Sequence, residues 1–155
     1  MKNVKFLLSA ALVFLASAAL AQDFSAPQYA KWGATPEERE QNILNSNFLK
    51  ESCDNRDYDA AAHYLKGLID KIPDAAESIY QRGAVVYKNK INRAKSVAEK
   101  NMFIDSLMLM YDMRAQYFGD NVKPGKTAFI LDQKAREVLR YKPNDRKGIR
   151  EAFRA

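Results

Sequence analysis

Between Asp57 and Pro73 the chain places Tyr58, Ala61, Leu65, Leu68 and Ile72 at intervals of three and four residues, with Ala62 and Ile69 beside them. That spacing lays one broad apolar stripe along a helix. Asp57 can cap its start, and Pro73 cannot continue it. A single helix cannot bury such a stripe against itself. The rest of the chain must therefore supply matching faces, and its periodicity shows where they lie.

Upstream, Thr35-Pro36-Glu37-Glu38 opens a helix in three ways. Thr35 can accept from orphan amides, Pro36 suits the first helical position, and Glu38 completes a capping box. Ile43, Leu44, Phe48 and Leu49 give this helix an apolar face as far as about Cys53, and Asp54-Asn55-Arg56 forms a turn. Residues 35–73 thus read as an antiparallel helical hairpin. A second hairpin covers 75–118. Its first helix runs from Ala75 to about Arg93, with Ile79, Gly83, Val86 and Tyr87 on one side. Its second runs from Ser96 to Phe118 and ends at Gly119, a favoured C-terminal cap.

This last helix is apolar on two faces. Val97, Ile104, Leu107, Tyr111 and Phe118 make one stripe, and Phe103, Met110, Met113 and Tyr117 make the other. It needs cover on both sides. After the loop 120–125, a helix from Lys126 to about Tyr141 and another opened by Lys142-Pro143-Asn144-Asp145 begin a third hairpin, 126–155. That hairpin is read as incomplete, because its pattern of Ile149, Ala152 and Phe153 has only just opened. Residues 22–34 carry no helical period and read as an extended segment that Tyr29 and Trp32 pin to the body. No segment gives a strand signal. The expected fold is all-α, with five to six helices in stacked hairpins.

Residues 1–21 stand apart from this domain. Lys2 and Lys5 precede an apolar run from Phe6 to Leu15, and Ala19-Leu20-Ala21 fits an A-x-A cleavage site before Gln22. The apolar run is shorter than the ~20 residues that span a bilayer. The reading is a cleaved export signal, with the mature protein in the periplasm and no transmembrane span. Loss of the two lysines leaves 23 basic against 19 acidic residues, a net charge of +4. Such a charge on an exported protein points to acidic envelope polymers or lipid headgroups before nucleic acid. Cys53 is the only cysteine, so no internal disulfide can form and no disulfide-linked form is expected. It reads as a small buried residue near Phe48 and Leu49.

Residues 56–73, RDYDAAAHYLKGLIDKIP, resemble the second helix of a tetratricopeptide repeat. Asp57-Tyr58 matches the acidic-aromatic turn, Ala61 the small residue, Leu65 the bulky one and Pro73 the closing proline. Gly83 falls at the family's close-packing position in the next unit. The 96–118 helix departs from the pattern in its length and alanine spacing. Signal, YxxWG-like lead-in and divergent hairpins together are similar to exported repeat proteins of Gram-negative, Bacteroidota-type envelopes. The resemblance implies stacked hairpins in a right-handed superhelix whose concave face binds peptides or protein surfaces. The lysine and asparagine pattern by which some members hold a carboxyl terminus is not present.

Few constellations carry chemistry. GDNVKPGKT, residues 119–127, mimics a phosphate-binding loop, but five residues separate its glycines where four are needed, and a helix precedes it rather than a strand. It reads as a hairpin connection. His63 is the only histidine and reads as a surface residue; no metal-ligand spacing, cofactor motif or catalytic signature accompanies it. Met102, Met108, Met110 and Met113 suit either an adaptable binding face or an irregular core, and core is favoured. Tyr80 and Tyr87 share a helical face. In the repeat register they line a groove with Ser46 and Lys50, or else they pack between hairpins. The basic cluster Lys134, Arg136, Arg140, Lys142, Arg146, Lys147 and Arg150 is either a solvated face or, through Arg140, Arg146, Lys147 and Arg150, a dock for acidic surfaces.

The expected function is a non-enzymatic scaffold that binds a protein or peptide partner in the envelope, without cofactor. The alternatives are a helper of an envelope enzyme or of haem metabolism, and a structural protein docking acidic polymer.

Overall fold

The computed structural model describes residues 22–152; the leader, 1–21, and Phe153 of the last apolar pattern lie outside the described residues. Six α-helices follow one another: α1 Pro36–Asp54, α2 Tyr58–Lys71, α3 Glu77–Arg93, α4 Val97–Phe118, α5 Lys126–Tyr141 and α6 Arg146–Ala152. No strand occurs among the described residues, and the helices pack as α1/α2, α3/α4 and α5/α6 hairpins. The expected all-α hairpin architecture is what the chain adopts.

The caps form as the sequence dictates. The Glu38 amide donates to Thr35 Oγ1 at 3.2 Å, and the Thr35 amide donates back to Glu38 Oε2 at 3.4 Å. Asp57 accepts from the Ala60 amide at 3.1 Å to start α2. Ser96 accepts from the Glu99 amide at 3.1 Å, and Glu99 accepts from the Lys95 amide at 2.7 Å, a second reciprocal cap. Gly119 closes α4 with φ −85° rather than in the left-handed region. Its role is space: an added Cβ would lie 2.3 Å from the Ala115 carbonyl oxygen and 2.2 Å from Thr127 Oγ1.

The segment 22–34 is not extended. Pro27–Trp32 forms a short 3-10 helix. Its carbonyls are gathered from outside: Arg39 donates to Gly33 O at 2.9 Å through Nε and to Phe24 O at 3.1 Å through Nη1. Buried Asn42 donates to Trp32 O at 2.7 Å. Trp32 does pin the segment to the body, packing against the core between α1 and α2.

That core is the predicted stripe. Leu49, Ala61, Leu65, Leu68, Ile79 and Val86 are all buried, and each large aliphatic contributes about 1.5–3 kcal/mol by leaving water. The α1 face is more open than its pattern suggests. Leu44 and Phe48 remain exposed because α2, α3 and the 3-10 helix leave that part of α1 uncovered, although the Phe48 ring leans on Tyr64 at 5.4 Å. In α4 both faces are covered, by α3 and by α5, except at Val97 in its first turn, which is 76% exposed. Cys53 is half-buried against the core, and burial pushes its thiol up.

At Gly83 the α3 backbone lies close against side chains of α2 and α4. A Cβ there would lie 2.6 Å from Met110 Sδ and 3.1 Å from both Leu65 methyls. At Gly67, on α2, a Cβ would meet nothing within 4 Å. Gly83→Val is therefore expected to destabilise by about 1–3 kcal/mol through overpacking. Gly67→Ala should stabilise by up to about 1 kcal/mol through helix propensity alone. Chemical denaturation of both variants checks this, and two shifts of the same sign would overturn the packing derived for α2, α3 and α4.

Candidate functional site

α2 and α4 both pack on α3, and over Gly83 their side chains Leu65 and Met110 belong to one core. A groove of about 500 Å³ is left between them. Ala62, Leu65 and Ile69 of α2 line one wall, and Met102, Phe103 and Leu109 of α4 line the other, with Tyr87 of α3 at the floor. Met102 and Leu109 stand 56% and 51% exposed on the rim. Tyr87 is half-buried, its ring 6.5 Å from that of Phe103. The polar margin consists of exposed His63, the Lys66–Asp70 pair at 2.5 Å, and Lys90. Lys90 pairs with Asp59, whose carboxyl it holds below the usual range, and lies 5.0 Å above the Phe103 ring. The methionines divide accordingly. Met110 is core, Met108 and Met113 are half-buried, and Met102 belongs to the surface.

The groove expected from Ser46, Lys50, Tyr80 and Tyr87 does not assemble as one face. Tyr80 is 1% exposed; its hydroxyl donates to Pro73 O at 2.7 Å and its ring stacks on Tyr117 at 6.4 Å. Burial pushes that hydroxyl well up. Packing between hairpins, the other reading of this tyrosine, describes it. Tyr87 turns to the α2/α4 groove instead. Lys50 is exposed and pairs with Asp54 of its own helix at 2.7 Å, and Ser46 is half-buried on α1. The two tyrosines differ because Pro73 O lies within reach of Tyr80 alone, a tertiary contact that a seven-residue spacing cannot reveal.

A second cleft, about 410 Å³, separates α3 from α5, which do not pack directly. Gln81, Val85 and Lys88 line one side, Phe129 and Gln133 the other, and Tyr111 and Arg114 of α4 the bottom. Charged side chains span it. Arg114, 8% exposed, donates through Nε to Glu77 Oε1 at 2.9 Å and through Nη1 to Gln133 at 2.9 Å. Lys126 donates to Glu77 Oε2 at 2.6 Å. Farther along, Lys88 pairs with buried Glu137, which raises the Lys88 ammonium against the opposing effect of burial. Glu137 also meets Arg140 at 3.6 Å.

This accounts for the loop that mimics a phosphate site. Lys126 is committed to Glu77, while Asp120 and Thr127 close the loop on each other with two 2.9 Å bonds, Asp120 N to Thr127 Oγ1 and Thr127 N to Asp120 Oδ1. The residues that would cradle a phosphate hold the α4–α5 connection together.

Part of the basic face is paired with carboxylates of the same molecule. Lys134 pairs with Asp112 at 2.5 Å and Lys142 with Asp105 at 2.6 Å, both carboxylates belonging to α4. Arg136 pairs with Asp132 at 3.0 Å. Arg146, Lys147 and Arg150 of α6 are exposed, and Arg150 Nε donates to Arg146 O at 3.2 Å. Among the described residues, no group of three or more His, Cys, Asp or Glu side chains is placed to hold a metal ion. Comparison of the chain with family models, with curated proteins and with solved structures gives no match.

Glu77 ties three helices. Burial pushes its carboxyl up, but the hydrogen bonds and charges of Lys126 and Arg114 prevail and leave it below its ordinary value. A lowered folded-state pKa means stabilisation present above about pH 4.3 and lost as pH falls through the folded value. Glu77→Gln should therefore destabilise by about 1–3 kcal/mol at pH 7, because buried Arg114 loses its counter-charge. The gap between variant and parent should narrow as pH falls below the ordinary carboxylate range and through the folded value, where the parent also loses its carboxylate. Denaturation across this pH range tests this, and a gap independent of pH would refute the ionic assignment.

Proposed function

We propose that the chain is an exported, non-enzymatic helical scaffold of the tetratricopeptide type that holds a protein partner in the cell envelope. Several features support the reading. The hairpins stack, and Gly83 occupies a close approach between them, as the resemblance implies. The leader pattern in 1–21 supports export, and no helix among the described residues is long and apolar enough to cross a membrane.

The observation that carries the reading is the α2/α4 groove. Its walls expose Met102 and Leu109 above a packed floor, so its apolar surface is in place before a partner arrives. Preformed surface of this kind avoids much of the ordering cost of association. Methionine adds a flexible, polarizable contact that adapts to the shape of a partner side chain. The polar margin at His63, Lys66 and Asp70 supplies the rim that surrounds such cores in protein interfaces.

The reading in which the chain docks acidic polymer would use the exposed Arg146 and Arg150 of α6. Lys134, Arg136 and Lys142 are engaged by carboxylates of the same molecule. The haem-helper reading gains no organised ligand set, as His63 lies exposed at the groove margin.

The test is the double variant Met102→Lys/Leu109→Lys. Both side chains are half exposed, so melting temperature and helical signal should stay within about 0.5 kcal/mol of the parent. Capture of the parent's principal partner from envelope extract should fall about tenfold or more, the loss of ~1–2 kcal/mol expected when interface anchors become charged. Charge reversal at Arg140 and Arg150 should leave capture intact. Full-strength capture by the first variant, or salt-sensitive loss in the second, would move the site to the basic face.

A further inference from the structure

A ridge and a hollow lie side by side on the surface of the first hairpin. Glu40, Leu44, Phe48 and Glu51 follow one another at intervals of four, four and three residues, which makes them one stripe along α1. Leu44 and Phe48 are each 41% exposed, and no ion pair among the described residues engages exposed Glu40 or Glu51. The ridge is thus apolar in the middle and acidic at both ends. The hollow, about 300 Å³, opens where α1 meets α2. Tyr64, Gly67 and Lys71 of α2 line it beside Asn45 of α1. Lys66 and Asp70 at its margin pair with each other at 2.5 Å, while exposed Lys71 has no ion pair, so the hollow is positive. A Cβ on Gly67 would meet nothing within 4 Å. Glycine weakens the interior of a helix, and no contact within one copy demands it here.

Ridge and hollow also stand at matching heights. Phe48 meets Tyr64 ring to ring at 5.4 Å, Asn45 shares the hollow with Gly67, and Gln41, next to Glu40, shares a further cleft with Lys71. A two-fold axis along the crevice between α1 and α2 keeps each height and exchanges the helices. We propose that this face is a dimer interface filled by a second copy of the chain, with α1 of each copy lying on α2 of the other. Leu44 and Phe48 enter the partner's hollow over Gly67, and Glu40 comes level with the partner's Lys71. Opposite shape and opposite charge within one patch are what an isologous interface needs, and they name the occupant. Ala62 and Ile69 of α2 line the α2/α4 groove, whereas Tyr64, Gly67 and Lys71 line the hollow, so the apolar walls of both grooves stay outside the interface. The dimer thereby offers two grooves to one partner, which raises its hold on any partner with two docking segments. The interface itself does not depend on what fills the groove.

Sedimentation of the exported protein over a concentration series tests this. The parent should form dimers that dissociate on dilution and with added salt. Gly67→Leu fills the hollow, and Phe48→Lys puts a charge on the ridge. Each should weaken dimerisation about tenfold or more while the helical signal stays that of the parent. Glu40→Lys and Lys71→Glu should each do the same, because like charges then face one another. Mixed in equal amounts, these two variants should recover a 1:1 dimer, since each carries the charge that the other lacks. A mixture that stays monomeric while the parent dimerises would overturn the pairing of α1 with α2. Dimers of Gly67→Leu as tight as the parent's would remove the hollow from the interface, and a parent that is monomeric throughout the series would overturn the second copy as the occupant.

Discussion

A helix of 22 residues that is apolar on two faces has no stable place at a surface. α4 resolves this by lying between α3 and α5, with Ile104 and Leu107 among its fully buried side chains. Into this setting the sequence puts a charge, Arg114, and the charge needs partners from both neighbours. Glu77 from the first turn of α3 and Gln133 from the middle of α5 provide them. A buried ion pair of this kind gains little over a well-packed apolar pair, but breaking it leaves a charge without water. Its effect is to fix one alignment: α4 cannot slide along α3 or α5 without separating Arg114 from both.

Local chemistry was enough to place the helices. Thr35, Asp57 and Ser96 start α1, α2 and α4 through bonds to amides three residues away, and Pro73 follows the end of α2. Such signals need no knowledge of the tertiary structure. The 3-10 helix at Pro27–Trp32 was not legible because its stabilising donors, Arg39 and Asn42, belong to the next helix. The exposure of Leu44 and Phe48 was hidden for a related reason. A periodic stripe shows which side of a helix is apolar, but not how many neighbours arrive to cover it.

The candidate site was legible in parts only. The methionine group, Tyr87 and His63 were each visible, yet they come from three helices. Only the separation of α2 from α4 across α3 turns them into one groove. Tyr80 misled for the opposite reason: it shares a helical face with Tyr87, but the turn at Pro73 offers its hydroxyl a carbonyl inside the protein. The basic stretch misled because charges were weighed along the chain. Asp105 and Asp112 are more than twenty residues from the lysines they neutralise, and the α4/α5 contact brings them together.

The two clefts differ in what fixes their width. The α2/α4 groove is lined by buried core side chains, Leu65, Phe103 and Met110, so changing it means repacking a core at close to crystalline density. The α3/α5 cleft is spanned by long side chains, Glu77 to Lys126 near one end and Lys88 to Glu137 farther along. Ion pairs of this length tolerate rotamer changes that packed aliphatics do not, and they weaken with added salt where they meet solvent. The width of the α3/α5 cleft is thus set by charge pairs, and that of the α2/α4 groove by packed apolar side chains. Binding energy is best conserved on the surface that moves least. That packing, more than its volume, is the physical reason for proposing the α2/α4 groove as the partner site.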